Sequence, residues 1–212
     1  MAADLEFFFD PVCPWAWITS RWVGNVCEQR DYEVDWRFIS LWMLNEETSA
    51  DWYTPAYRAG HYRGHQGLRI ADAIRQDDPD AVGRWYTALG TAFHVDQRRE
   101  EAANDTVSFA ASVLAGAGFD TSYTEAMDDE SHDDHIRSDT ETALSRTGRD
   151  VGTPILTFHP GAETEASFFG PVISKAPRGD EALELWDAVE KLATMSGMAE
   201  LKRSNRLAPD FT

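Results

Sequence analysis

Residues 45–147 contain no segment that reads as a strand, yet strand patterns stand on both sides of them. That enclosure constrains the fold more than any other feature. Ahead of it, Phe7-Phe8-Phe9 is a short apolar run closed by Asp10-Pro11, the pattern of a buried strand ending in a turn. Ile18, Trp22, Val26 and Cys27 then recur at helical spacing up to about Arg30, and Pro14 suits the first turn, where its missing N–H costs nothing. Glu33 to Ser40 alternates and carries Val34, Trp36, Phe38 and Ile39, which predicts a second strand. Strand, helix, strand implies a parallel pair with a right-handed crossover. Inside the block, Tyr53 to His65, Leu68 to Arg75, Pro79 to Leu89, Asn104 to Ala115 and Asp133 to Ser145 read as helices, with breaks at Gly60 to Gly67 and at Gly116-Ala117-Gly118. Strands resume at Ile155-Leu156-Thr157-Phe158 and at Ala166 to Phe169. A helix from Glu181 to Met195 follows, with Leu183, Trp186, Val189 and Leu192 on one face and Gly197 as its stop. The fold class is α/β: residues 1–44 and 148–212 form one domain, and residues 45–147 form a helical domain inserted into it.

Composition narrows the function. The 212 residues are 42% hydrophobic and include eight Trp, enough for a sizeable core. Lys and Arg number 19 against 37 Asp and Glu, a formal charge of -18 that repels nucleic acid and anionic membrane surfaces alike. No apolar run approaches the ~18 residues that cross a bilayer, and the Met1-Ala2-Ala3-Asp4 opening lacks the basic and apolar regions of a secretory signal. Two cysteines do not make a disulfide framework, so the expected compartment is a reducing cytoplasm. The acidic run from Asp128 to Asp134 reads as a solvated helix end or turn.

Cys13 stands where a strand hands over to a helix. Unpaired N–H groups and the positive end of the helix dipole favour an anion there, so its thiol is expected to titrate below a free cysteine and to act as a nucleophile. A buried, inert cysteine is the plain alternative. Cys27 lies fourteen residues on, about 21 Å along a continuous helix at ~1.5 Å per residue, too far for a bridge to Cys13, and reads as core. In Gly152-Thr153-Pro154 a proline immediately precedes an apolar strand. Such a bond is often cis, and Thr153 would then turn its backbone outward to pair with an extended thiol ligand. Trp15 is expected to be partly exposed beside the thiol. Asn45 follows the second strand near the sheet's carboxyl edge, and Tyr57 follows in the first helices of the block; such edges bind ligands, although an ordinary cap and a packed tyrosine are the plain readings. The pairs His61/His65 and His132/His135 have helical spacing but no ligand motif, so they read as exposed polar residues and no metal is expected. No glycine-rich phosphate loop is present, and no tightly bound cofactor is expected.

Cys13-Pro14-Trp15 at a helix start, the inserted helices and Thr153-Pro154 before the third strand together resemble the thioredoxin-like fold of DsbA type. The chain is most similar to the mycothiol-dependent nitroreductase-like proteins of actinobacteria. The likeness is carried by Phe9-Asp10-Pro11-Val12-Cys13-Pro14-Trp15, Trp17 to Trp22, Ser40-Leu41 with Leu44-Asn45-Glu46, and Val151 to Pro154. Phe168 to Ser174, Pro177-Arg178-Gly179, Leu185-Trp186-Asp187 and Glu200 to Arg203 also match, with scattered positions such as Tyr57, Leu89-Gly90 and His94 between. Two departures stand out. Ala16 occupies the place of the second cysteine of dithiol members, and Thr140 and Glu141 occupy the place of a His-His pair.

The resemblance implies a cytoplasmic thiol-disulfide oxidoreductase with the single active thiol Cys13. Pro14, Trp15 and Ala16 shape its surroundings, Thr153 and Pro154 hold the thiol partner by main chain, and Asn45 and Tyr57 line the pocket. Mycothiol or a similar small thiol is the implied co-substrate, disulfides or nitroaromatic and quinone-like electrophiles the implied substrates, and a glutaredoxin-like reductase a further partner. A kappa-class glutathione transferase or hydroxychromene-carboxylate isomerase type of enzyme resembles the same fold and also suits a monothiol site. A degenerate member that only binds a ligand is the third reading.

Overall fold

The computed structural model describes residues 3–204 and 207–212. In chain order the elements are β1 (Leu5–Phe9), α1 (Pro14–Arg30), β2 (Val34–Phe38), α2 (Leu41–Leu44) and α3 (Pro55–Asp77). A 3-10 turn at Pro79–Ala81 leads into α4 (Val82–Gly90), a π-helical stretch at Thr91–Val95, α5 (Arg99–Asn104) and α6 (Thr106–Gly116). Further 3-10 turns at Thr121–Asp128 and Glu130–His132 precede α7 (Asp133–Thr147), β3 (Ile155–Phe158), β4 (Ala166–Phe169) and α8 (Asp180–Ala193). The residues divide into two compact units, one of Met1–Phe9, Pro14–Arg37 and Thr142–Thr212, the other of Asp10–Cys13 and Phe38–Glu141.

The first unit is built on a four-stranded sheet in the order β2-β1-β3-β4. β1 and β3 are antiparallel, with Phe7 opposite Leu156, and β3 and β4 are antiparallel, with Ile155 opposite Phe169. The starts of β1 and β2 lie together, Asp4 N–H donating to the Glu33 carbonyl at 2.9 Å, as the parallel pair of a βαβ unit requires. Every residue of β1 and β3 is buried, which explains why both read as continuous apolar runs. Ile18, Trp22 and Val26 of α1 are buried, and the Trp22 ring lies 5.5 Å from Trp186 of α8 while its Nε1–H donates to the Ala182 carbonyl at 2.9 Å. The one buried carboxylate of β1, Glu6, is paired with Arg37 at 2.7 Å and with Arg146, so its charge is compensated.

The second unit corrects several expectations. Gly60 to Gly67 does not break a helix: α3 runs unbroken over 23 residues. Two of its glycines are there for close approach. A Cβ at Gly64 would meet Asp10 Oδ1 at 2.7 Å and Val12 Cγ2 at 2.9 Å, and one at Gly67 would meet Leu89 Cδ2 at 2.7 Å. The helix expected over Asn104 to Ala115 is α6, starting two residues later, because Asp105 caps it by accepting from Ser108 N–H; α5, just ahead of it, was not expected. His61, His65 and His132 are buried, not exposed. His65 joins a chain of polar contacts: Ser40 Oγ lies 3.1 Å from its Nδ1, and Asp133 Oδ1 lies 2.9 Å from its Nε2. Asp133 in turn receives a bidentate pair from Arg69, at 2.7 Å on each oxygen, so this member of the acidic run is no bare solvated end. His132 and His135 both place Nδ1 against Asp72 Oδ2, at 2.8 and 3.0 Å. His135 is exposed, whereas the buried His65 and His132 are allowed into the interior by these polar contacts.

Candidate active site

Cys13 closes the turn Asp10-Pro11-Val12-Cys13 that joins β1 to α1. Its N–H donates to the Asp10 carbonyl at 3.0 Å, and the residue is 6% exposed, at the edge of the interior. It immediately precedes the 17-residue helix α1, the position at which a helix stabilises an anion.

Three side chains hold this turn in place. Asp10 is fully buried. Its Oδ1 accepts from Val12 N–H at 3.0 Å and its Oδ2 from Leu41 N–H at 2.8 Å, so one carboxylate ties the turn to the start of α2. Burial pushes its pKa up to about 7, against the opposing pull of those two N–H groups and of Arg99. His94 Nε2–H donates to the Pro11 carbonyl at 2.9 Å, which leaves Nδ1 to accept from Arg99 Nη2 at 3.1 Å. Burial, helped by the Arg99 charge, brings His94 down to about 4, so it is neutral at pH 7 with its proton on Nε2. Arg99 Nη2 also donates to the Val12 carbonyl at 3.2 Å, and its charge acts on Cys13, Asp10 and Tyr57. His94 projects from the π-helical stretch Thr91–Val95, a kind of irregularity found often at functional sites.

Tyr57, 54% exposed, belongs to an aromatic cluster at the start of α3. Its ring stands edge-on to His61 at 4.9 Å and to Trp52 at 6.0 Å. His61 is buried, with Nδ1 3.3 Å from Tyr53 Oη, and burial lowers it to about 4. Asn45 is a cap: its Nδ2 donates to the Leu41 carbonyl at 2.8 Å, so Asp10 and Asn45 grip the two polar groups of the same residue. Among the described residues no group of three or more His, Cys, Asp or Glu could hold a metal ion.

Pro14, Trp15, Ala16, Cys27, Thr153 and Pro154 belong to the other unit. Pro14, Trp15 and Ala16 open α1; Ala16 is buried, and half-buried Trp15 lines a cavity. Thr153 is buried, its hydroxyl donates to the Phe8 carbonyl at 3.0 Å, and the Thr153-Pro154 bond is cis. Cys27 lies within α1, and burial raises its thiol to about 11. Thr140, which lies in the same unit as Cys13, accepts from Ser40 N–H at 3.1 Å through its hydroxyl. Sequence reasoning brought out Cys13 but missed Arg99 altogether, took Asp10 for a strand terminator and used His94 only as a matching position. Arg99 lies in a charged run that looks like ordinary surface, and no local pattern could have flagged it.

Residues 12–203 match the family model described as Rv2466c-like, the mycothiol-dependent nitroreductase Rv2466c. The chain belongs to this family. The uncharacterized protein Rv2286c of Mycobacterium tuberculosis (strain ATCC 25618 / H37Rv) is 30% identical over 200 residues, which cover 94% of this chain and 81% of that protein. Among solved structures, 2-hydroxychromene-2-carboxylate isomerase superposes with a TM-score of 0.58 at 14% identity, covering 89% of this chain and 95% of that one. The cytosolic disulfide reductase DsbM from Pseudomonas aeruginosa with GSH gives 0.57 at 15%, covering 89% and 99%. A putative protein disulfide isomerase from Nitrosomonas europaea gives 0.56 at 16%, covering 90% and 98%. These likenesses establish the thioredoxin-like fold of DsbA type with helices inserted after the second strand.

Proposed function

We propose that the protein is a monothiol oxidoreductase that works with a low-molecular-weight thiol, mycothiol by family membership. The observation that carries this is the turn around Cys13: a cysteine at a helix start, on a loop fixed by Asp10, neutral His94 and cationic Arg99. A positive neighbour and a helix start both favour the thiolate, the form that attacks. Cys13 thiolate attacks a disulfide RS–SR′. The Cys13–SR bond forms, the S–S bond breaks, and R′S⁻ leaves to take a proton from water. A second thiolate R″S⁻ then attacks the mixed disulfide, releasing Cys13 thiolate and RS–SR″. With a quinone-like acceptor, two thiols supply two electrons and two protons, become a disulfide, and leave a hydroquinone.

Ala16 removes the internal resolving thiol, and α1 keeps Cys27 on a continuous helix fourteen residues away, so resolution falls to an external thiol. In this reading Pro14, Trp15 and Ala16 form the motif's surface, Tyr57 and Asn45 serve the pocket, and the main chain at Thr153 and Pro154 meets the thiol ligand. The assignment of those last four rests on the family resemblance. A cytoplasmic setting, and a glutaredoxin-like reductase as the protein that clears the adduct, complete the proposal; no helix among the described residues is long and apolar enough to cross a membrane.

The test is intact-mass analysis after exposure to mycothiol disulfide. The parent protein gains the mass of one mycothiol, lost again on reduction, and Cys13→Ser gains none. A parent that stays unmodified while accelerating thiol conjugation or isomerisation would assign the site to the transferase or isomerase type of chemistry instead. Inertness on both counts would leave a binding protein.

A further inference from the structure

In the second unit Arg69, Arg75 and Arg98 each pair with a carboxylate at 2.7 Å. Arg99, which opens α5 beside the Cys13 turn, has no ion pair among the described residues. Glu100 and Glu101 follow it at spacings that face away from it on a helix, and Arg98 holds both oxygens of Glu101 at 2.7 Å. The Arg99 guanidinium is nonetheless fixed. Nη2 donates to the Val12 carbonyl at 3.2 Å and to His94 Nδ1 at 3.1 Å, and Cζ lies 5.5 Å from the centre of the Phe93 ring. Its Nε–H and Nη1 donors make no hydrogen bond among the described residues, and the residue is exposed. The groups that act on its charge are Cys13, Asp10 and Tyr57. Asp10 uses Oδ1 and Oδ2 on the Val12 and Leu41 N–H groups, and burial leaves it only partly ionised at neutral pH. Cys13 loses its charge in the reaction: when the thiolate forms the mixed disulfide, the negative charge departs on the leaving thiolate.

We propose that Arg99 recognises an anionic group of the substrate, so that the disulfide presented to Cys13 carries a carboxylate. This rests on the thiol chemistry proposed for Cys13 and adds the class of substrate to it. A neutral substrate lying on the Cys13 turn would strip water from the Nε–H and Nη1 donors and leave them unpaired; a carboxylate takes them up. The ring and the two Nη2 bonds already hold the guanidinium in one place, so little freedom is lost when an anion binds. The formal charge of -18 repels anions from the chain as a whole, so a preference for them at Cys13 has to come from a local cation.

The test exposes the full chain to three small disulfides that differ in charge: 3,3′-dithiodipropionate, 2-hydroxyethyl disulfide and cystamine. Adduct formation on Cys13 is followed by intact mass. Each rate constant is divided by that of the same disulfide with 2-mercaptoethanol at the same pH, which removes differences in leaving group. The proposal predicts a normalised rate for the dianion about tenfold above that of the neutral disulfide, with cystamine lowest and the spread narrowing as salt is added. The overall charge of the chain acting alone predicts the reverse order. Arg99→Gln should slow all three by lowering the thiolate fraction, and should in addition reduce the ratio of dianion to neutral by about tenfold; Arg99→Lys, which keeps the charge, should restore part of that ratio. An anion preference missing from the parent, or one unchanged in Arg99→Gln, would overturn the inference and leave the thiol reading intact. No adduct on Cys13 from any of the three would overturn both. The comparison within the parent needs no variant, so it stands whatever the substitutions do to folding.

Discussion

In the role proposed for Cys13, Arg99 is the neighbour that matters most. Its guanidinium bonds to the Val12 carbonyl and to His94, and its charge acts on Cys13 and Asp10 at once. Arg99→Leu should therefore slow iodoacetamide alkylation of Cys13 at pH 7 by roughly tenfold and move the alkylation midpoint to higher pH, because thiolate is the reacting form. An unchanged rate profile would mean that the helix start alone sets the reactivity. Asp10 makes a second prediction, on stability. Its folded-state pKa is raised to about 7, whereas an unfolded aspartate titrates near ~3.9. Between those values the folded state holds a proton that the unfolded state has lost, so this group's stabilising effect is complete below about pH 4 and fades as pH rises through about 7. Asp10→Asn removes that slope. The variant's stability relative to the parent should rise from pH 5 to pH 8 in urea titrations. His61, His65 and His94, all lowered to about 4, act in the opposite sense, losing stability as pH falls from ~6.5 to about 4; they do so in both proteins and cancel in the comparison.

At the scale of elements, α3 is the part whose sequence misleads most. Gly60, Gly64 and Gly67 look like breakers, yet the helix passes through all three because close packing requires two of them. Gly64→Ala should destabilise by about 1–3 kcal/mol, since a methyl group would press on Asp10 and Val12. Gly60→Ala meets nothing within 4 Å and should stabilise by about 0.4–1 kcal/mol. Denaturant midpoints check both, and equal effects would show that α3 does not seat the Cys13 turn. The contrast also marks what a sequence can reveal. β3 and β4 were legible to the residue because they are short apolar or alternating runs bounded by turn residues. α1 was legible because Pro14 opens it and Ile18, Trp22 and Val26 repeat along it. Helix α3 was not, because glycine has a local preference that tertiary packing overrides. The candidate site divides in the same way. Cys13 is visible from its place at a helix start. Its supports at His94 and Arg99 lie more than eighty residues away, brought in by contacts that no local spacing encodes.

For the molecule as a whole, the proposal turns on a single candidate thiol, Cys13. Position 16 holds alanine, and the other cysteine sits deep along α1 with its thiol raised to about 11 by burial. A tethered second thiol would act at high effective concentration, and this chain lacks one. The most direct measurement is the release rate of a thiol loaded onto Cys13, followed by intact mass after dilution into increasing concentrations of free thiol. The account predicts an adduct that persists without added thiol and clears at a rate proportional to its concentration, and predicts that Ala16→Cys makes release independent of that concentration and yields a disulfide to Cys13. Rapid release from the unmodified protein with no thiol added would contradict it, since some other group of the chain would then be resolving the adduct.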